Sequence, residues 1–178
     1  MLNRRRLGMP DTASTSQPHS SATRYWLMKN EPDEYSIDHA LAAPQQTIAW
    51  DGVRNYQARN YMRDQMQPGD GVLYWHSSCA EPGIYGVAQI VGNVRVDPSQ
   101  FDPASPYYDS KSNPDKPRWL LLDVQALRKT RALLIAELRE HQALSEMRVL
   151  QRGNRLSITE VSPQEWEYIH RVLWRGEV

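Results

Sequence analysis

The stretch Trp50-Asp51-Gly52-Val53-Arg54-Asn55-Tyr56-Gln57-Ala58-Arg59-Asn60 runs from a strand through a tight turn into a helix, and the rest of the chain is read outward from it. Asp51-Gly52 is a turn signal, because glycine enters positive φ without steric cost. The spacing beyond it predicts a helix starting near Val53 or Arg54. On that helix Asn55, Arg59 and Arg63 share one face, while Ala58, Met62 and Met66 share another. Upstream, Thr47-Ile48-Ala49-Trp50 has the β-branched and aromatic content of a short strand. No other segment gathers an aromatic, a turn and so many planar hydrogen-bonding side chains, so the stretch reads as a recognition surface.

Working outward, Arg24 to Met28 is strand-like until Glu31-Pro32 interrupts it, and Ser36 is placed to cap a short helix through Leu41. Pro68-Gly69-Asp70-Gly71 ends the central helix. Val72 to His76 and Gly83 to Val96 follow as strands, the second long and bent or bulged at Gly86 or Gly92. Asp97 to Pro117, with Pro98, Pro103, Pro106, Pro114 and Pro117, reads as a long surface excursion of the kind that borders a site. Trp119 to Leu127 is a strand with a buried start, Ala132 to Glu140 and Leu144 to Gln151 are short helices, and Arg155 to Val161 is a strand. Ser162-Pro163-Gln164-Glu165 is a capping box with proline at the first helical position. It opens a last helix whose buried stripe is Trp166, Ile169, Val172 and Leu173. About six short strands and short helices without regular βαβ alternation predict an α+β fold, a small barrel-like, mostly antiparallel sheet decorated by helices.

The 178 residues suit one domain, and residues 1–23, rich in Ser, Thr and Pro, read as a disordered leader before a folded unit over 24–178. No window approaches the ~18 apolar residues of a membrane span. A single cysteine, Cys79, excludes an internal disulfide framework and suits a reducing compartment, hence a cytoplasmic expectation, with nucleus or organelle as alternatives. Net charge is zero, and the leader holds three arginines against one aspartate, so the remainder is slightly acidic. A protein that grips polyanions through bulk charge is therefore excluded, and any phosphate contact must be local.

Several motifs recur in a recognisable order. Tyr25-Trp26-Leu27-Met28-Lys29 is followed by Glu31-Pro32, then Trp50 to Asn60, Pro68-Gly69-Asp70, Tyr74 with His76-Ser77, Pro117-Arg118-Trp119 and Arg155-Leu156-Ser157-Ile158. From about residue 24 to 173 the chain resembles the EVE domain family of the PUA-like superfamily. The resemblance implies a PUA-like pseudobarrel with a pocket for a flipped, modified base such as a 5-substituted cytosine, in DNA or RNA, with no catalysis and no cofactor. Asn30 departs from the pattern, which leads one to expect a small hydroxyl residue there.

The residues supply what such a pocket needs: a flat surface to replace the stacked neighbours, and donors and acceptors for the pairing edge. Trp26 and Trp50 are the candidate planes, with Tyr56 and Tyr74 as further walls. Asn55, Gln57, Asn60 and Ser77 carry both hydrogen-bonding roles, and Val53 or Leu156 could form an apolar niche for a methyl-sized substituent. Lys29, Arg54, Arg59 and Arg155 are candidates for flanking phosphates, and His76 and Ser157 complete the expected lining. The competing reading is an enzyme or sensor for a small nucleobase-like ligand, with Cys79, His76 or Asp51 reacting. His76 and Cys79 have metal-like spacing but no second Cys/His pair, so no metal site is expected.

Overall fold

The computed structural model describes residues 22–175. All of the expected leader except residues 22 and 23 thus lies outside the described residues. The fold is α+β, built on one mixed sheet of seven strands. These are β1 (Tyr25–Asn30), β2 (Thr47–Trp50), β3 (Gly71–His76), β4 (Gly83–Ile90), β5 (Arg95–Val96), β6 (Leu120–Leu134) and β7 (Ile158–Val161). The hydrogen-bonded order is β2-β6-β4-β3-β1-β7, with β5 pairing β6 to one side. β1 and β3 run parallel, and every other ladder is antiparallel.

Strict alternation along the central strands makes two cores, one on each face of the sheet. Trp26, Met28, Val72, Tyr74, Leu122 and Val124 pack on one face with Ile37 and Ala40 of α2 (Ile37–Ala42) and Ala58 and Met62 of α3 (Tyr56–Asp64). Leu27, Leu73, Trp75, Ile84 and Leu133 pack on the other with Leu138 of α4 (Ile135–Glu140) and Ile169. A short α1 (Pro32–Tyr35), with proline in its first turn, follows β1 directly.

Several boundaries differ from the expectation, each for a local reason. α3 starts at Tyr56, not Val53 or Arg54, because Asn55 is its N-cap, accepting from the Gln57 and Ala58 amides at 2.9 and 3.1 Å. The expected Gly83–Val96 strand ends at Ile90, and Arg95–Val96 is a separate strand. The register slips beside Gly86, where the Cβ of any other residue would meet the Arg128 carbonyl and the Ile37 side chain. β6 runs on to Leu134 because β4 pairs with it as far as Leu134, so only Ile135–Glu140 is helical. The expected helix over Leu144 to Gln151 resolves into 3-10 turns at Gln142–Leu144 and Arg148–Leu150, and β7 begins only at Ile158.

The Ser162 capping box is present, with reciprocal bonds to Glu165, and opens α5 (Pro163–Tyr168). The helix then widens into a π-turn over Ile169–Leu173, the Trp174 amide donating to the Ile169 carbonyl at 3.0 Å. The extra residue per turn rotates the buried stripe. Val172 swings out to 51% exposure and Trp174 takes the inward place.

Candidate functional site

The main cleft has a volume of about 810 Å³ and opens where β1, β2, β3 and the loop before β7 converge. Lys29, Trp50, Val53, Ser77, Arg155 and Ser157 line it, so six of the expected residues from four separate segments do come together. The Lys29 amide donates to the Ser157 carbonyl at 2.8 Å, and the Ser77 amide and hydroxyl both donate to the Asn30 carbonyl. These bonds tie the ends of β1 and β3 to the Arg155–Ser157 segment. Burial lowers the pKa of the Lys29 ammonium.

The opposite wall comes from the 97–117 excursion through Ser99, Ser105, Pro106 and Tyr107. A buried hub holds that loop in place. Asp97 accepts from Arg54 at 2.7 Å, from the Ser99 hydroxyl and amide at 2.6 and 2.8 Å, and from the Gly52 amide at 3.1 Å. Burial opposes the Asp97 charge, yet the hydrogen bonds from Ser99 and Arg54 prevail and hold its carboxyl below the ordinary range. Arg54 also donates to the Tyr107 carbonyl, from Nε at 2.8 Å, and its guanidinium lies 5.6 Å from the Trp119 ring. The Tyr107 hydroxyl closes the wall by donating to Glu34 of α1 at 2.5 Å. Tyr107 is raised by burial, by that bond and by the charges of Glu34, Asp51 and Glu31, so it stays a neutral donor.

The aromatic surfaces differ from the expectation. Trp26 is fully buried, its indole nitrogen donating to Asp70 at 2.9 Å and its ring tilted against Tyr61, so it is a core residue. Trp50 keeps 4% exposure and meets Tyr74 edge-on, forming the cleft floor and not an open stacking plane. Tyr74 is buried beneath, its hydroxyl donating to the Tyr35 carbonyl, and burial raises its pKa. The cleft planes that do face solvent are Tyr35, 42% exposed, and the half-buried Tyr107, neither of which was expected in the site, while Tyr56, though exposed, lies outside the cleft.

Other expected residues are spent on structure. His76 stacks on Tyr85 with centroids 4.1 Å apart, and its Nε2 accepts from the Ile37 amide, the first of α2. Arg54 belongs to the hub behind the cleft. The Asn55 side-chain oxygen caps α3, the Gln57 amide donates to the Tyr61 hydroxyl, and Asn60 accepts from Arg59. Arg59 also donates to the Arg118 carbonyl at 3.0 Å, and Tyr56 packs against Trp119. Leu156 lies with Asn55 in a neighbouring groove. The later helix start accounts for Asn55, whose side chain is the cap and not part of a helix face.

In their place the cleft gains Asn30, Glu31, Glu34 and Asp51. Burial raises the pKa of the Asp51 carboxyl, reinforced by Asp97 and Glu34. Three carboxylates against Lys29 and Arg155 make the lining rich in acceptors. Asn30, the departure noted above, sits within it, its side-chain oxygen accepting from the Glu31 amide. Among the described residues no group of three or more His, Cys, Asp or Glu is placed to hold a metal ion, and no helix is long and apolar enough to cross a membrane. His76 Nε2 already accepts a hydrogen bond, which removes it as a ready base for Cys79.

The model of the EVE domain family matches residues 24–172. The chain belongs to the EVE domain family. Relatives agree with this assignment. Human thymocyte nuclear protein 1 is 38% identical over 176 residues, spanning 89% of this chain and 77% of that protein. A crystal structure of the human THYN1 protein in complex with 5-methylcytosine-containing DNA superposes with a TM-score of 0.80 at 38% identity, covering 88% of this chain and all of that one. A crystal structure of a Pseudomonas putida protein superposes at 0.78 with 43% identity, covering 82% of this chain and 97% of that one. The EVE domain here thus spans nearly all of the described residues, and its cleft is carried on a frame common to animal and bacterial proteins.

Proposed function

We propose that this EVE domain is a non-catalytic module that takes a modified base, a 5-substituted cytosine, out of a DNA strand and into the cleft lined by Trp50, Tyr107 and Asp51. The observation that carries this reading is the cleft itself. Its volume accommodates a base, its open planes are Tyr35 and the half-buried Tyr107, and its polar lining sets the carboxylates Glu31, Glu34 and Asp51 beside the donors Lys29 and Arg155. Cytosine presents an exocyclic amine that a carboxylate accepts well, whereas thymine presents a carbonyl at the same position. The relative solved with 5-methylcytosine-containing DNA supports the choice of ligand.

Binding without turnover accords with a site in which His76 and Arg54 are committed to structural bonds. Action in a reducing compartment, the cytoplasm, belongs to the same proposal and is supported by the lone Cys79. The test is titration of the purified protein with oligonucleotides that differ only in carrying 5-methylcytosine, cytosine or thymine at one position. Tighter binding of the 5-methylcytosine strand is the expected result. Equal affinity for all three overturns the proposal.

A further inference from the structure

Beside the cleft lies a second, smaller groove of about 320 Å³, made by the loop between the 3-10 turn at Arg148–Leu150 and β7. Arg155 lines both. Arg148 and Arg152 line the groove and not the cleft, and all three arginines are exposed; Arg148 also borders a further groove of about 600 Å³ shared with Glu146, Glu160 and Glu165, which leaves Arg152 and Arg155 as the more purely basic part. Elsewhere many cations are paired, Arg24 with Glu160, Arg63 with Asp64, Arg95 with Asp123, Arg118 with Asp109 and Lys129 with Asp38, while those outside ion pairs, such as Lys29, Lys111 and Arg139, lie on separate segments. Among the described residues Arg148, Arg152 and Arg155 make no ion pair. In a chain of zero net charge, three unpaired guanidinium groups within eight residues are a local concentration of positive charge.

The loop that carries them is braced by its own amides. The Asn154 side chain donates to the Arg148 carbonyl at 2.9 Å and accepts from the Leu156 amide at 3.1 Å. The Gln151 side chain donates to the Ser145 carbonyl at 2.6 Å. Gly153, at φ +80°, turns the tip with open space around it. The backbone is thereby set while the arginine heads stay outward, and Asn55 on the far side brings the positive end of α3 to the same groove.

We infer that this groove holds the phosphodiester backbone of the strand whose base enters the cleft, with Arg148 and Arg152 on flanking phosphates and Arg155 at the junction. The inference rests on the base-reading proposed above, and charge explains the division of labour. The cleft, with Glu31, Glu34 and Asp51 against Lys29 and Arg155, has a slightly acidic balance that suits a base edge better than a phosphate. The arginine groove attracts phosphate and offers bidentate guanidinium donors, but has no exposed aromatic plane to hold a base. Contacts of this kind position a strand without reading its sequence.

The test compares the wild-type protein with Arg148→Ala/Arg152→Ala and with Arg152→Glu, on a 5-methylcytosine oligonucleotide and its plain counterpart, over a range of salt concentrations. The double variant should bind both strands roughly tenfold more weakly at low salt. The slope of log affinity against log salt should fall by about 1 for each arginine removed, with the preference for the modified strand unchanged. Arg152→Glu should weaken both strands further than Arg152→Ala. An unchanged affinity and slope in the double variant overturns the groove, as does a loss confined to the modified strand. Polyglutamate that displaces a plain oligonucleotide of matched charge with equal potency would assign the groove to an acidic protein instead. A wild-type protein with no preference for the modified base rejects the cleft reading, while the salt slopes still decide the groove. Thermal midpoints should match the wild type, because both side chains are exposed.

Discussion

Arg54 and Asp97 lie 43 residues apart in the chain and meet at 2.7 Å, the carboxylate side chain fully buried and the guanidinium side chain 22% exposed. Through this pair the segment after β2 grips the start of the 97–117 excursion and sets the far wall of the cleft. Removing Arg54 leaves a buried charge without its partner, which is costlier than the pair itself was worth. Arg54→Ala should destabilise the fold by about 3 kcal/mol, the low end of the range for breaking a buried pair, since the arginine keeps some solvent. Arg54→Lys should recover little, because one ammonium cannot serve Asp97, Ser99 and the Tyr107 carbonyl together. Urea denaturation of both variants checks this. A loss below about 0.5 kcal/mol would show that the hub is dispensable.

Gly52 sits at φ +70°, and a Cβ there would fall 2.7 Å from the Tyr107 ring. Gly52→Ala should therefore cost about 1–3 kcal/mol in backbone strain and displace Tyr107 from the cleft wall. Its signature is loss of base preference greater than the loss of stability alone would produce. Thermal unfolding together with the oligonucleotide titration separates the two effects. Full retention of preference would remove Tyr107 from the site.

His76 predicts a dependence of stability on pH. Burial lowers its pKa below the ordinary value of about 6.5, with Asp38 opposing and Lys129 adding to the shift. Between those two pKa values the unfolded chain binds the proton and the native one does not, so stability rises with pH there. The contribution is complete above about pH 6.5 and is lost as pH falls from there through the folded pKa. Protonation would also turn the acceptor of the Ile37 amide into a donor beside the start of α2. His76→Gln should flatten the decline in the urea midpoint as pH falls below about 6.5. Some slope should persist from His170, which burial also lowers. A slope identical to wild type would mean that His76 titrates alike in both states.

Asp51 is the carboxylate that the cleft reading assigns to the exocyclic amine of cytosine. Asp51→Asn offers an amide that can also donate, so discrimination between 5-methylcytosine and thymine should fall by about tenfold or more, in line with ~1–3 kcal/mol for a specific base contact. The total affinity for the thymine strand should change little or rise. If discrimination is unchanged, the amine is read by Glu31 or Glu34, and the same substitution to glutamine at each identifies which.

The split between what sequence and structure each revealed follows from the range of the interactions. Local chemistry was legible: Gly52 takes the positive φ that Asp51-Gly52 suggests, Ser36 and Ser162 cap helices, Gly86, one of the two glycines expected to bend its strand, sits at a register slip, and the order of motifs from Tyr25 to Ile158 carries the family. The caps and the positive φ depend on residues within a few positions of one another, so the string of letters is enough for them, whereas the reason Gly86 must be glycine lies far off in the chain, at Arg128 and Ile37. Other local signals were misread: Asn55 looked like a helix-face residue when its side chain is the cap, and Leu144 to Gln151 looked like a helix when it forms only 3-10 turns.

The stretch from Trp50 to Asn60 itself shows where that reach ends. Its sequence determined a strand, a glycine at positive φ and a helix, and the cleft lies beside it. Only the tertiary structure decided that Trp50 is floor and Trp26 core, that Arg54 faces inward to Asp97, and that Tyr107 donates to Glu34 from 73 residues away. Tyr107 and Asp97 sit in an irregular excursion with no periodicity to say where a side chain points. Their positions come from buried hydrogen bonds that exist only once β2, α1 and the excursion have packed together, since a buried carboxylate must find its donors wherever in the chain they lie.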